Sequence, residues 1–184
     1  MKILLPKVLI IFLFVVILSS CKKEKSNTNI VHFEINRTLD INTYRIDTLN
    51  LDGVGTYDIL FNVTTVGGQL VATIQTPDAA SGIVEDTIYS VSTIYAKPFD
   101  KNVTINNLNR FTAGGEVNTI YNGAISLYRG SGNGDKYYGF KVKLADGIHY
   151  GWVLLNIDSD YLKLEIKQIA YNKVLNASIK TGEK

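Results

Sequence analysis

The chain has 184 residues, 46% of them hydrophobic and 20% charged, which accommodates one folded domain and excludes a large multidomain enzyme. Eleven Tyr and seven Phe make it too aromatic for a disordered chain, and the single Cys excludes an intrachain disulfide. The formal charge of +2 would fit an anionic partner, but it comes from the N-terminus: residues 1–20 carry Lys2 and Lys7 and no acid, and residues 22–25 add three Lys against one Glu. From Ser26 onward 14 basic groups face 16 acidic ones, so nucleic acid is excluded as the expected partner.

Residues 1–7 are basic, and residues 8–18 (VLIIFLFVVIL) form an unbroken apolar run of eleven residues. A spanning helix needs roughly 20 apolar residues, so this run has the length of a secretory signal core. Leu18, Ser19, Ser20 and Cys21 follow. They resemble the bacterial lipobox, an apolar residue and two small ones before the Cys that receives a diacylglyceryl group. The resemblance implies that residues 1–20 are removed and that Cys21 becomes the lipidated N-terminus. One acyl chain holds a protein to a bilayer only marginally, and two or more are needed for stable anchoring. Residues 22–29 (KKEKSNTN) are polar without apolar periodicity, as in a flexible tether. Lys22 rather than Asp after the anchor, by resemblance to the sorting rule of enteric bacteria, implies the outer membrane. Periplasmic and external placement both stay open. The expected organisation is therefore a signal peptide at 1–20, a lipidated Cys and tether at 21–29, and one domain at 30–184.

No stretch of residues 30–184 has helical periodicity. Strand-like runs follow in order at 30–35, 44–49, 57–64, 69–75, 87–95, 103–108, 119–127, 138–144, 148–157, 162–170 and 177–179. They are rich in Val, Ile, Thr and Tyr, which suit a pleated, half-buried surface. Turn signals separate them at Asp52-Gly53, Gly67-Gly68, Gly114-Gly115, residues 130–135 and Asp146-Gly147. In residues 162–168, Leu162, Leu164 and Ile166 alternate with Lys163, Glu165 and Lys167, giving one buried and one wet face. Short strands at this spacing predict an all-β fold, a single antiparallel β-sandwich of jelly-roll type.

The C-terminal residues Tyr138-Gly139-Phe140, Gly147-Ile148-His149-Tyr150-Gly151-Trp152-Val153, Ile169-Ala170-Tyr171-Asn172 and Gly182 resemble a pattern in bacterial lipid-anchored and secreted β-sandwich proteins. Residues 44–61 resemble their Asp/Asn-rich turn more loosely. The resemblance implies an exported β-sandwich and no particular chemistry.

Candidate sites are few. Asn50, Asp52 and Gly53 fit the third, fifth and sixth positions of a calcium loop. Asp47 would lie one residue out of register there and Asp58 two positions late; a plain Asp-Gly turn is the competing reading. Tyr138, Tyr150 and Trp152 flank the Asp146-Gly147 turn and would serve as a stacking platform for a glycan, although a Trp in such a strand more often anchors the core. At most one of Tyr137 and Tyr138 shares the face of Trp152. Asp158 and Asp160 read as solvated turn residues. Glycoside hydrolysis would need two carboxylates across a cleft, and neither Glu34 nor Glu165 offers an obvious partner. His32 and His149 are the only imidazoles, and no nucleophile elbow or phosphate loop accompanies them. The expected function is a non-catalytic binding or structural module at the envelope, for a glycan or protein ligand. A jelly-roll carbohydrate hydrolase with a carboxylate pair is the alternative. Calcium is the one cofactor the sequence raises.

Overall fold

The computed structural model describes residues 29–40, 45–66, 69–86, 94–121, 124–125, 134–157 and 163–184. Cys21, the tether up to residue 28, most of the expected strand 87–95, the Gly67-Gly68 turn and Asp158 and Asp160 lie outside them. Among the described residues there are strands and no helix. The strands are β1 (Ile30–Asp40), β2 (Arg45–Leu49), β3 (Ile59–Val66), β4 (Gln69–Gln75) and β5 (Gly82–Asp86). The short strands β6 (Tyr95–Ala96), β7 (Pro98–Phe99), β8 (Thr104–Ile105) and β9 (Phe111–Thr112) follow. The chain continues with β10 (Gly114–Tyr121), β11 (Ala124–Ile125), β12 (Gly134–Leu144), β13 (Gly147–Ile157), β14 (Lys163–Asn172) and β15 (Ile179–Lys180).

The all-β expectation holds. Hydrogen bonding runs through one curled sheet in the order β1-β14-β13-β12-β5-β6-β10-β4-β3-β2, with β7, β9 and β11 attached at its margins. It does not divide into two separate sheets, because β5 belongs to both walls: Ile83 pairs with Phe140 of β12 and Glu85 with Ala96 of β6. The pairing is antiparallel apart from one short parallel contact, Glu116 of β10 with Tyr95 of β6. The two edge strands, β1 and β2, approach each other across a seam where the Arg37 guanidinium donates to Asp47 Oδ1 at 2.8 Å. The sheet is thus a nearly closed barrel, an arrangement that leaves little strand edge exposed. A bulge in β1 between Glu34 and Arg37, with Asn36 at φ 50°, bends that strand toward the seam.

Period-two alternation explains the two cores. Tyr138, Phe140, Val142 and Leu144 of β12 face the barrel interior with Val153, Leu155 and Ile157 of β13 and Leu164, Ile166, Ile169 and Tyr171 of β14. Ile59, Phe61 and Val63 of β3 and Ala72 and Ile74 of β4 fill the same interior from the other wall. The alternate residues of the first wall, Tyr150, Trp152, Leu154 and Ala170, point outward and would be wet in a simple barrel. Instead they pack under Phe99, Ile105 and Ile179, where the small β8–β15 sheet lies across the outer face. The strand expected at 103–108 is therefore cut to two residues with a turn after it. Gly114-Gly115, expected as a turn, lies inside β10 and pairs with Gln75 and Ile74. A Cβ on Gly115 would lie 2.5 Å from the Ala96 nitrogen, so glycine there admits the close approach of β6.

Candidate functional site

One end of the barrel gathers four segments: the loop 50–58 between β2 and β3, the tight β12–β13 turn at Ala145 and Asp146, the end of β14, and Asn29, where the chain enters β1. The hairpin expected at Asp146-Gly147 is present one residue earlier, since Leu144 and Gly147 already pair. Asn29 is fixed by its carbonyl, which accepts from the Lys173 amide at 2.9 Å.

The loop is a network of side chains capping backbone amides, as Asn and Asp do in turns. Asn50 Oδ1 accepts from the Gly53 amide at 2.7 Å, and Gly53 and Gly55 both take positive φ. Asp52 Oδ1 accepts from the Val54 amide, and its Oδ2 accepts from the Ala145 amide at 3.0 Å, tying the loop to the distant β12–β13 turn. Asp58 is buried, with Oδ2 accepting from the Leu51 amide at 2.6 Å. Burial pushes its carboxyl above the usual range; the Leu51 bond opposes this without overcoming it, and the charge of Asp52 adds to the rise.

Beside the loop, His149 is 1% exposed and held on both sides. Its Nδ1 lies 2.8 Å from the Asn172 carbonyl, which can only accept, so Nδ1 donates. Its Nε2 lies 2.8 Å from Asp146 Oδ1. That hydrogen bond, with the His149 charge, holds the Asp146 carboxyl below the usual range. Tyr171 stacks edge-on against His149, with ring centres 5.7 Å apart. Together Asp52, Val54, Asp146, His149, Tyr171 and Lys173 line a mouth pocket of about 240 Å³.

Two donors in this pocket are uncommitted. Tyr171 is 8% exposed, and among the described residues its hydroxyl has no hydrogen-bond partner. Burial raises its ionisation above the ordinary tyrosine value, and the charges of Asp146, Asp52 and Asp58 raise it further, which places all three carboxylates within electrostatic reach of the phenol. Lys173 is exposed at the rim and has no ion pair among the described residues.

The expected calcium residues are thus drawn into different tasks. Asp47 sits on β2 in the seam, bonded to Arg37 and to the Thr48 amide. Asn50, Asp52 and Asp58 spend oxygens on backbone N–H groups, and among the described residues no group of three or more His, Cys, Asp or Glu is placed to hold a metal. The expected aromatic platform is corrected: Tyr138, Tyr150 and Trp152 are 1%, 4% and 0% exposed. Tyr138 points into the barrel while Tyr150 and Trp152 point out of it, because Tyr138 pairs with Val153 and successive residues of β13 take opposite faces. Trp152 is met by Tyr137 at 5.1 Å, edge to face, and by His32 at 6.0 Å. Its ring is closed to a ligand, and its Nε1 is buried without a partner among the described residues. Cys21 lies outside the described residues.

Tyr171 entered the sequence reading only within the C-terminal pattern, and Lys173 did not enter it; neither was expected at a site. The signal for them is topological: the end of β14 returns to the start of β1, and that pairing cannot be read from residue types. A second groove of about 410 Å³ lies along β4 and β10, lined by Thr73, Thr76, Ile94, Gly114 and Glu116. Comparison with protein-family models, curated proteins and solved structures finds no match to the chain.

Proposed function

We propose that the protein is a lipid-anchored component of the bacterial outer membrane, exported by residues 1–20, held by acyl chains on Cys21, and carrying a non-catalytic binding module. The apolar run 8–18, the small residues before Cys21 and the polar tether support the anchor. The observation that carries the binding reading is the division of labour in the mouth pocket. Asp52, Asp58 and Asp146 are each held by donors from the protein itself, while the Tyr171 hydroxyl and the Lys173 ammonium are left for a ligand. Held carboxylates beside free donors make a recognition surface; an acid/base catalyst needs a carboxyl free to exchange its proton with substrate. A glycan or an envelope protein would supply acceptor atoms to those donors. The curled sheet also supports a sandwich-like description, with β1-β14-β13-β12 and β10-β4-β3-β2 as two walls over one core.

The hydrolase alternative draws no support from the acidic residues. Glu34 pairs with Lys184 and lies beside His32, Glu85 pairs with Arg110, and Glu165 lies beside Lys167. The test of the proposal is fractionation of cells expressing the native chain or Cys21→Ser, followed by capture of envelope glycans and proteins on the purified protein. The native chain is expected in the outer-membrane fraction, with a captured ligand lost in Tyr171→Phe. Equal membrane retention of Cys21→Ser would overturn the anchor, and capture unaffected by Tyr171→Phe and Lys173→Ala would overturn the site.

A further inference from the structure

The position of the mouth pocket narrows its ligand. Asn29, the first described residue, is bonded to the backbone of Lys173 on the pocket rim. Eight residue steps separate it from Cys21, which at full extension reach at most about 29 Å. A lipid on Cys21 therefore keeps this end of the barrel close to the bilayer surface. The same end carries exposed apolar side chains, Val54 at 59%, Val174 at 45% and Leu175 at 46% exposure. Val54 lines the pocket, and Val174 and Leu175 directly follow Lys173. Apolar side chains around a lysine rim suit a membrane interface, where the hydrocarbon enters and the ammonium stays at the headgroup level.

The charges in the pocket are of both signs. Asp52 and Asp146 line it, and each carboxylate oxygen retains a lone pair beyond the bond it makes. The Lys173 ammonium and the Tyr171 hydroxyl offer donors. The volume of about 240 Å³ lies below the roughly 300–1,000 Å³ of pockets that take drug-sized ligands and suits a short headgroup.

We infer that the pocket binds the zwitterionic aminophosphate headgroup of a membrane lipid, its primary ammonium against Asp52 and Asp146 and its phosphate against Lys173 and Tyr171. The inference rests on the reading of a binding module anchored at Cys21. It makes this end of the barrel a membrane-contact face.

The test uses the lipidated protein in two arms. In detergent, soluble O-phosphoethanolamine is titrated and followed by the NMR shifts of the Tyr171 ring, with phosphocholine, ethanolamine and inorganic phosphate in parallel. Saturable binding is expected for phosphoethanolamine, about tenfold weaker for the other three and for Tyr171→Phe or Lys173→Ala, as loss of one charge-assisted hydrogen bond implies. In vesicles, hydroxyl-radical footprinting compares phosphatidylcholine alone with phosphatidylcholine plus phosphatidylethanolamine. Protection of Tyr171 and Leu175 is expected to rise severalfold with the ethanolamine lipid, while exposed Leu108 is unchanged. No saturable shift in detergent overturns the aminophosphate ligand. Binding in detergent without lipid-dependent protection overturns the membrane source. Failure of the anchor itself would show instead as absent lipid on Cys21, with the detergent titration unaffected.

Discussion

Replacing Gly151 by Ala tests the packing that fixes the β12–β13–β14 wall, and with it the two ends of His149. Gly151 faces Phe140 across the β12–β13 ladder inside the barrel. An added Cβ would overlap the Phe140 ring and lie 2.6 Å from the Ala170 carbonyl oxygen. Neither neighbour can give way: Phe140 is fully buried, and Ala170 is held in the ladder opposite Trp152. Overpacking a core by one methyl costs about 1–3 kcal/mol, and a clash with both a ring and a backbone oxygen places this case at about 3. The entropy gained from the unfolded chain by Gly→Ala, about 0.4–1 kcal/mol, offsets little of it. At about 2–4 °C per kcal/mol for a domain of this size, Gly151→Ala should lower Tm by about 6–12 °C. Thermal unfolding by far-UV circular dichroism reads the shift. Adding Phe140→Leu should recover part of it, so that the double mutant is more stable than the sum of the singles by about 1 kcal/mol. A Gly151→Ala protein that melts with the native chain, or strictly additive double-mutant behaviour, would refute this packing.

Asp58→Ala should cost about 1–3 kcal/mol by leaving the buried Leu51 amide unpaired, and Asp58→Asn should cost less, since the amide oxygen still accepts. Burial raises the folded-state value of Asp58, so its contribution is greatest in acid and is lost as pH rises through that value. Denaturant titrations should therefore show Asp58→Asn faring better against the native chain at pH 7 than at pH 4, and the opposite trend would contradict the burial. Trp152, the only Trp of the chain, should emit as a buried indole and resist acrylamide quenching in the folded protein; ready quenching, or a response to added oligosaccharide, would restore the stacking platform. Millimolar calcium against chelator should leave Tm unchanged because the loop oxygens already hold backbone amides, whereas a ligand at a hundredfold its Kd would add about 2.7 kcal/mol.

The all-β character and most long strands were legible because Val, Ile, Thr and Tyr alternate with polar residues through β3, β4, β12 and β14, and because β13 is a near-continuous run of strand formers. What the pattern could not show is which alternating face is wet. The outward residues of β13, Tyr150, Trp152 and Leu154, look like a surface platform until β15 and β8 are laid over them, and that covering depends on contacts nearly 80 residues apart, such as Val103 with Thr181. The same limit hid β5 and β7, which are short and irregular and gain their pairing only from the barrel around them. Of the loop 50–58, the turn chemistry was readable from Asn50, Asp52 and Gly53. The capture of Asp52 by Ala145 was not, because it joins positions 93 residues apart. The pocket followed from this closure: residue types marked Asp146 and His149, but only the return of β14 to β1 brings Tyr171, Lys173 and Asn29 to them.

Both the envelope role and the orientation of the mouth pocket depend on Cys21, and the mass of the N-terminal peptide from protein extracted out of native membranes reads its state. The expected peptide begins at Cys21 and carries a diacylglyceryl thioether and an acylated amine. An N-terminus at Met1, or a cleaved chain with an unmodified Cys21 thiol, would contradict it.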